Sequence, residues 1–135
     1  MAAIVAACST SPVRVADAKA VQSDRLYITA PATANDGLII VVRDTGFQGR
    51  ACAVSIFLDG KKAVSLAAGE KAEFPASAGK HMLSAAPAGK GLCGIADSEH
   101  AQRRSLIFDS VAGRTIDFRV GLGSGGDPIF YQTSM

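Results

Sequence analysis

A chain of 135 residues with a net charge of +2 is one domain's worth of material, and its 48% hydrophobic against 19% charged residues argue for a packed core and against disorder. Basic and acidic residues are intermixed, and the few aromatics are not interleaved with the basic ones, which argues against a nucleic-acid surface. No run reaches the ~18 apolar residues that a membrane-spanning helix needs. With six Phe and no Trp, the core is expected to be built mainly from Val, Ile and Leu.

The chain opens on Met1-Ala2-Ala3-Ile4-Val5-Ala6-Ala7-Cys8-Ser9, a short apolar stretch that stops at a cysteine and gives way to a Ser/Thr/Pro segment. Val5-Ala6-Ala7-Cys8 resembles the lipobox at the end of a bacterial lipoprotein signal. The resemblance implies that the Cys8 thiol is acylated and that residues 1–7 are a signal remnant. With several acyl chains at ~0.8 kcal/mol per buried CH₂, it also implies permanent attachment to the membrane. Ser9 in place of Asp resembles outer-membrane sorting, with the protein on the periplasmic face. Seven residues with no basic side chain are too few for a complete signal, so either the start is misplaced or the chain begins inside the signal. The alternative is an alanine-rich start with an incidental cysteine.

Residues 8–24 read as a lipid-anchored tether. The sixteen residues from Ser9 to Asp24 show no strand alternation, and as a flexible coil they would let the domain wander ~20–25 Å. Val15 to Gln22 has room for a short helix. Residues 25–135 read as the folded domain. It begins with a strand-like run at Arg25-Leu26-Tyr27-Ile28-Thr29, halted by Pro31, and a turn at Asn35-Asp36-Gly37. Leu38-Ile39-Ile40-Val41-Val42 is five consecutive aliphatics, mostly β-branched; such a run predicts a central strand buried on both faces.

Cys52 to Leu66 reads as a β-hairpin around Asp59-Gly60. A two-residue turn pairs Ile56 with Ala63, opposing residues of the wrong parity. A three-residue loop sets Val54 and Ile56 against Leu66 and Val64, and so predicts an odd loop with Gly60 left-handed as a bulge. Lys71 to Phe74, ended by Pro75, and Lys80 to Ala85 follow as short strands, with Pro87 to Gly91 a loop and Leu92 to Ile95 a further short segment. Arg104 to Phe108 and Thr115 to Leu122 are strands, and in the second Ile116, Phe118, Val120 and Leu122 alternate with Asp117 and Arg119, the pattern of a sheet with one wet face. About eight short strands with turns between them predict an all-β fold, an antiparallel β-sandwich or a small barrel.

Leu58-Asp59-Gly60-Lys61, followed by Pro75-Ala76-Ser77-Ala78-Gly79-Lys80-His81, resembles small bacterial lipoproteins with PEGA-like β-domains. The likeness covers about residues 37–122 and implies a cell-envelope accessory domain without a defined activity.

If Cys8 is acylated, Cys52 and Cys93 are left for the oxidising periplasm and are expected to form a disulfide. Closing a loop of ~40 residues would restrict the unfolded chain by ~4 kcal/mol on the chain-entropy model. A metal or catalytic thiol finds no Cys-x-x-Cys or Cys–His spacing to support it, and two buried free cysteines are the remaining alternative. Asp97-Ser98-Glu99-His100 is the densest knot of potential ligands, but adjacent positions on an extended chain point apart, so a solvated loop is expected there. His81 is expected to pack or hydrogen-bond locally. Gly121-Leu122-Gly123-Ser124-Gly125-Gly126 fits the dinucleotide pattern in form but leads into Pro128 and an extended run, not a helix. Glu70 and Glu73 carry nothing to identify them as an acid–base pair, and Lys61, Lys62, Arg103 and Arg104 default to solubility. No catalytic residue, metal or cofactor is expected. The function these features point to is a non-enzymatic envelope lipoprotein that binds or assembles with an envelope protein. The alternative is a periplasmic inhibitor lipoprotein that presents Ser84–Gly94 or Gly121–Asp127 to an enzyme such as a lysozyme.

Overall fold

Two β-sheets pack face to face around one aliphatic core in the computed structural model, which describes residues 10–11, 13–46, 53–88, 104–122 and 128–134. The strands are β1 (Thr10–Ser11), β2 (Lys19–Ala20), β3 (Asp36–Arg43), β4 (Thr45–Gly46), β5 (Ala53–Leu58), β6 (Lys61–Leu66), β7 (Glu70–Ser77), β8 (Gly79–Ala88), β9 (Arg104–Ser110), β10 (Thr115–Leu122) and β11 (Pro128–Ser134). One sheet has the order β11-β10-β3-β7-β2 and the other β6-β5-β8-β9, with β1 and β4 paired separately. The fold is an all-β sandwich whose sheets do not close into a barrel.

β3 is the middle strand of the five-stranded sheet, and Ile39 to Val42 are buried on both faces, as the unbroken aliphatic run predicts. Ile39 and Val41 join Phe74, Ile116, Phe118 and Val120 in the core between the sheets. Val54, Ile56, Val64, Leu66, Leu83 and Phe108 meet them from the four-stranded sheet. β3 pairs parallel with β10, from Thr115↔Leu38 to Val120↔Arg43, where the strand pattern predicts antiparallel pairing throughout. The whole second sheet lies between these two strands in sequence, the kind of long connection a parallel pair needs.

The second face of β3 is covered by the N-terminal segment. Ile40 and Val42 pack with Ala18, and Val13 and Val15 lie against them. Lys19 N–H donates to the Gly69 carbonyl and Val21 N–H to the Lys71 carbonyl, both at 2.9 Å, so the segment adds β2 beside β7. The described part of the expected free tether, residues 10–11 and 13–24, is thus tied into the fold, with one 3₁₀ turn at Val15–Asp17 in place of a helix. Arg25 to Thr29 is not a regular strand either. Ser23–Arg25 is a second 3₁₀ turn, after which Leu26 bridges to Val64 and Tyr27 N–H donates to the Ala63 carbonyl.

The hairpin keeps the expected pairing but reaches it differently. Val54 faces Leu66 and Ile56 faces Val64, yet Leu58 pairs with Lys61 across a two-residue turn. Asp59 (φ 52°) and Gly60 (φ 86°) are both left-handed, the requirement of a type I′ turn, whose twist matches that of the strands. The register shifts between Ile56 and Phe57, so the extra residue sits inside the ladder, at Ala63, and not in the loop. Pro75, expected to end a strand, and Pro87, expected to begin a loop, are both carried within strands. Pro75 pairs with Leu38 in β7, and Pro87 with Val54 in β8. On its other side β7 pairs with β2 only at Glu70 and Lys71, and β8 with β9 only up to Ala85, so neither proline lies where a second neighbour needs its missing N–H.

Removing residues 1–17 uncovers Ile40 and Val42. At about 1.5–3 kcal/mol per buried aliphatic side chain, less the entropy of ordering the segment, the expected loss is about 2–4 kcal/mol of unfolding free energy. A chemical denaturation curve of the shortened protein checks this; an unchanged midpoint would mean that the segment is a free tether after all.

Candidate functional site

At the end of β3 the aliphatic run gives way to charge. Arg43 continues the parity of Ile39 and Val41 and is buried at 2% exposure, its Nη1 donating to the Leu66 carbonyl of the opposite sheet at 3.0 Å. Burial lowers its pKa to about 10, partly opposed by the charge of Glu70, so it remains a cation at neutral pH. Asp44 continues the other parity. Its carboxylate, with no solvent exposure, accepts from Arg119 Nε at 3.1 Å and Nη2 at 2.7 Å and from the Val13 N–H at 3.3 Å.

Glu70, just after the β6–β7 turn, accepts both terminal nitrogens of Arg25 at 2.6 and 2.7 Å and the Ala67 N–H at 2.7 Å. The Arg25 guanidinium holds the Glu70 carboxyl below its usual range, against burial, with the Ala67 N–H adding to the effect. Lys71 Nζ donates to the Val15 carbonyl at 2.9 Å. The Val13–Asp44, Arg25–Glu70 and Val15–Lys71 contacts tie the N-terminal segment to the sandwich, while Arg43 joins the two sheets through Leu66 and Arg119 holds Asp44 from β10.

A second polar cluster lies at the opposite end, beneath the Asp59-Gly60 turn. His81 Nδ1 is 2.5 Å from Asp59 Oδ2, and His81 Nε2 is 2.6 Å from the Ser77 carbonyl and 3.4 Å from Ser77 Oγ. The residue types are those of a Ser–His–Asp triad, but the geometry is not. Nε2 has an acceptor closer than the hydroxyl, so the proton a general base would need to receive is already in place. Both ring nitrogens face acceptors, the setting of an imidazolium. Burial lowers the His81 pKa, but the Asp59 hydrogen bond, the Ser77 carbonyl and the Asp59 charge together raise it above 6.5. Burial pushes Asp59 up, while the Met82 N–H and His81 bring it below 3.8 overall. The ring also stacks on Phe108, at 5.7 Å between centroids, and Phe108 meets Phe118 edge-on at 5.1 Å. His81 is therefore a brace between the hairpin turn, β7 and β9, in line with the local hydrogen bonding expected of it.

β9 is the surface feature suited to recognition. It is the last strand of its sheet, and among the described residues no strand pairs with its outer edge. Leu106, Phe108 and Ser110 point inward, while Ile107 is 59% exposed and Val111, just beyond the strand, 45%. An open edge with an apolar side chain standing on it is a template for an added strand. The opposite edge, on β6, is occupied by Leu26 and Tyr27.

Cys8, Cys52, Cys93 and the Asp97-Ser98-Glu99-His100 knot lie outside the described residues, as does most of the Gly121–Gly126 run. Among the described residues no group of three His, Cys, Asp or Glu side chains converges to hold a metal, and no helix is long and apolar enough to cross a membrane. Sequence reasoning missed the pairing of Glu70 with Arg25 and the burial of Arg43 and Asp44. The one available signal was that the charges directly follow a strand buried on both faces.

The pH profile separates the two clusters. His81 contributes stability that is full below its ordinary value of 6.5 and is lost as pH rises through its higher folded value. Glu70 contributes stability that is full above 4.5 and is lost as pH falls through its lower folded value. Thermal unfolding followed from about pH 3 to about pH 9 is expected to show both limbs. His81→Gln flattens the neutral-to-alkaline limb and, by removing one partner that lowers Asp59, also trims the acid limb, whereas Glu70→Gln blunts the acid limb alone.

No protein-family model, curated protein or solved structure matches the chain, so its functional reading rests on its own residues.

Proposed function

We propose that this protein is a non-enzymatic cell-envelope lipoprotein, held through acylated Cys8 on the periplasmic face of the outer membrane, whose sandwich is a binding or assembly module for an envelope protein. The β9 edge, beside which no further strand lies among the described residues, and its exposed Ile107 support the binding half of this reading, because an extended partner segment can extend the β6-β5-β8-β9 sheet there. The lipobox-like Val5-Ala6-Ala7-Cys8 supports the address. Cys52 and Cys93 form a disulfide in this reading. Ala53 pairs with Ala88, so the chain segments that carry the two cysteines leave the sheet at the same end.

A photo-crosslinking residue in place of Asp109 is expected to give a discrete envelope-protein adduct in intact cells, and one in place of Lys61, on the far edge, is not. Ile107→Lys abolishes the Asp109 adduct. No adduct at Asp109, or equal adducts at both positions, would discard the edge. Palmitate labelling of the full-length protein, lost in Cys8→Ala, tests the anchor separately. The intact mass of the oxidised protein is expected to rise by two hydrogen atoms on reduction, and Cys52→Ser removes that change.

A further inference from the structure

The chain passes from one sheet to the other between β7 and β8 through the single residue Ala78, and Gly79 takes a φ of 125° at this corner. His81, two residues past Gly79, shares the parity of Leu83 and Ala85 and so lies on the face between the sheets. Its Nε2 reaches back over the corner to the Ser77 carbonyl at 2.6 Å, while Nδ1 meets Asp59 Oδ2 at 2.5 Å. Ser77 belongs to the five-stranded sheet and the Asp59 turn to the four-stranded one, so the ring joins the two.

A neutral imidazole carries one N–H, and here two acceptors flank the ring. The carboxylate is the stronger acceptor and keeps that proton, which leaves a bare Nε2 lone pair facing a carbonyl oxygen at 2.6 Å. Such a contact is repulsive. The Ser77 hydroxyl, at 3.4 Å, can donate to Nε2 in its place only if the corner moves, because the carbonyl stands nearer.

We infer that His81 is a pH-operated clasp on the sheet-to-sheet corner: as an imidazolium it holds Ser77 to the hairpin turn, and on losing its proton it releases the Ser77 carbonyl and lets the corner move while Asp59 keeps the ring. Among the described residues Asp59 is the charged group in contact with the ring. Lys80 points to the opposite face and pairs with Asp109 of β9 at 3.9 Å, and Phe108 of β9 brings only its ring. Behind Ser77, Asp36 of β3 holds the Thr33 N–H at 2.8 Å; past the hairpin turn Lys61 is exposed and Lys62 lies over the Tyr27 ring. Burial disfavours the charged ring, but the Asp59 and Ser77 bonds outweigh it, so the clasp is closed at pH 6.5 and opens as pH rises through the higher folded value. The movement is local to the corner and depends neither on Cys8 acylation nor on a partner at β9.

Ring ¹⁵N signals of the full-length protein, followed from about pH 5 to about pH 9, report the proton directly. His81→Gln shows which of the two histidines they belong to. The expected path runs from a doubly protonated ring to the Nδ1–H tautomer. Across the same transition the Ala78 amide, which donates to the Asn35 carbonyl at 3.1 Å, is expected to lose several-fold of its protection from hydrogen exchange. The reference is the Gly113 amide, bonded to the Asp36 carbonyl at 3.1 Å in the β9–β10 turn. In His81→Gln the Ala78-to-Gly113 ratio no longer changes with pH. An Nε2–H tautomer above the transition would mean that the Ser77 link is the one kept, and a constant ratio in the unaltered protein would mean that the corner stays put. Either result overturns the clasp, as does a ring that holds both protons throughout the range.

Discussion

The burial of β3 on both faces is the constraint from which most of this structure follows. Five aliphatic residues in a row leave no wet side for a strand, so two layers must cover it. Ile39 and Val41 are covered by the four-stranded sheet. Ile40 and Val42 fall to Val13, Val15 and Ala18, residues far upstream with no strand or helix periodicity of their own. The N-terminal segment is therefore ordered by what β3 needs and not by any local propensity of its own.

The charges that end β3 extend the same logic. Where the apolar run stops, the two parities continue as Arg43 toward the opposite sheet and Asp44 toward the N-terminal layer. Buried ions of this kind seldom add much net stability over apolar replacements, because desolvation offsets much of their attraction. Their geometry is demanding, however. Asp44 is satisfied only with Arg119 and Val13 in place, and Glu70 only with Arg25 and Ala67 in place. They specify where the N-terminal segment lies, while the aliphatic contacts supply most of the favourable free energy of holding it there.

This explains which parts of the fold were legible in the sequence. The central strand was, because a continuous β-branched run has few other readings. The segment that covers it was read as a tether, although the same reading of β3 required a cover for its second face. In the hairpin, side-chain parity gave the partners Val54↔Leu66 and Ile56↔Val64, but the position of the odd residue depends on backbone twist. Asp59-Gly60 favours the tight type I′ turn, and the displaced residue went into the ladder. Pro75 was read as a strand end and Pro87 as the start of a loop because the harm a missing N–H does depends on neighbouring strands, which local sequence does not reveal. His81 was legible as a locally bonded residue only toward Ser77, four residues away; Asp59 is 22 residues away and comes beside it through the pairing of β5 with β8, which local sequence does not reveal.

The same N-terminal segment also makes the sandwich asymmetric. After covering β3 it adds β2 beside β7, then passes to the other sheet and closes the β6 edge with Leu26 and Tyr27. One side of the molecule is thereby stitched across both sheets. On the other side the two sheets end in β9 and β11, and among the described residues neither has a further strand beside it. A sandwich of this size exposes edges on both sides unless something closes them, and among the described residues a single segment closes only one. An edge left open by such an arrangement has a defined position relative to the chain's start, because the segment that closes one side also leads back to β1. In the proposed reading, strand addition at β9 and attachment through Cys8 would both be positioned by the segment that completes the core.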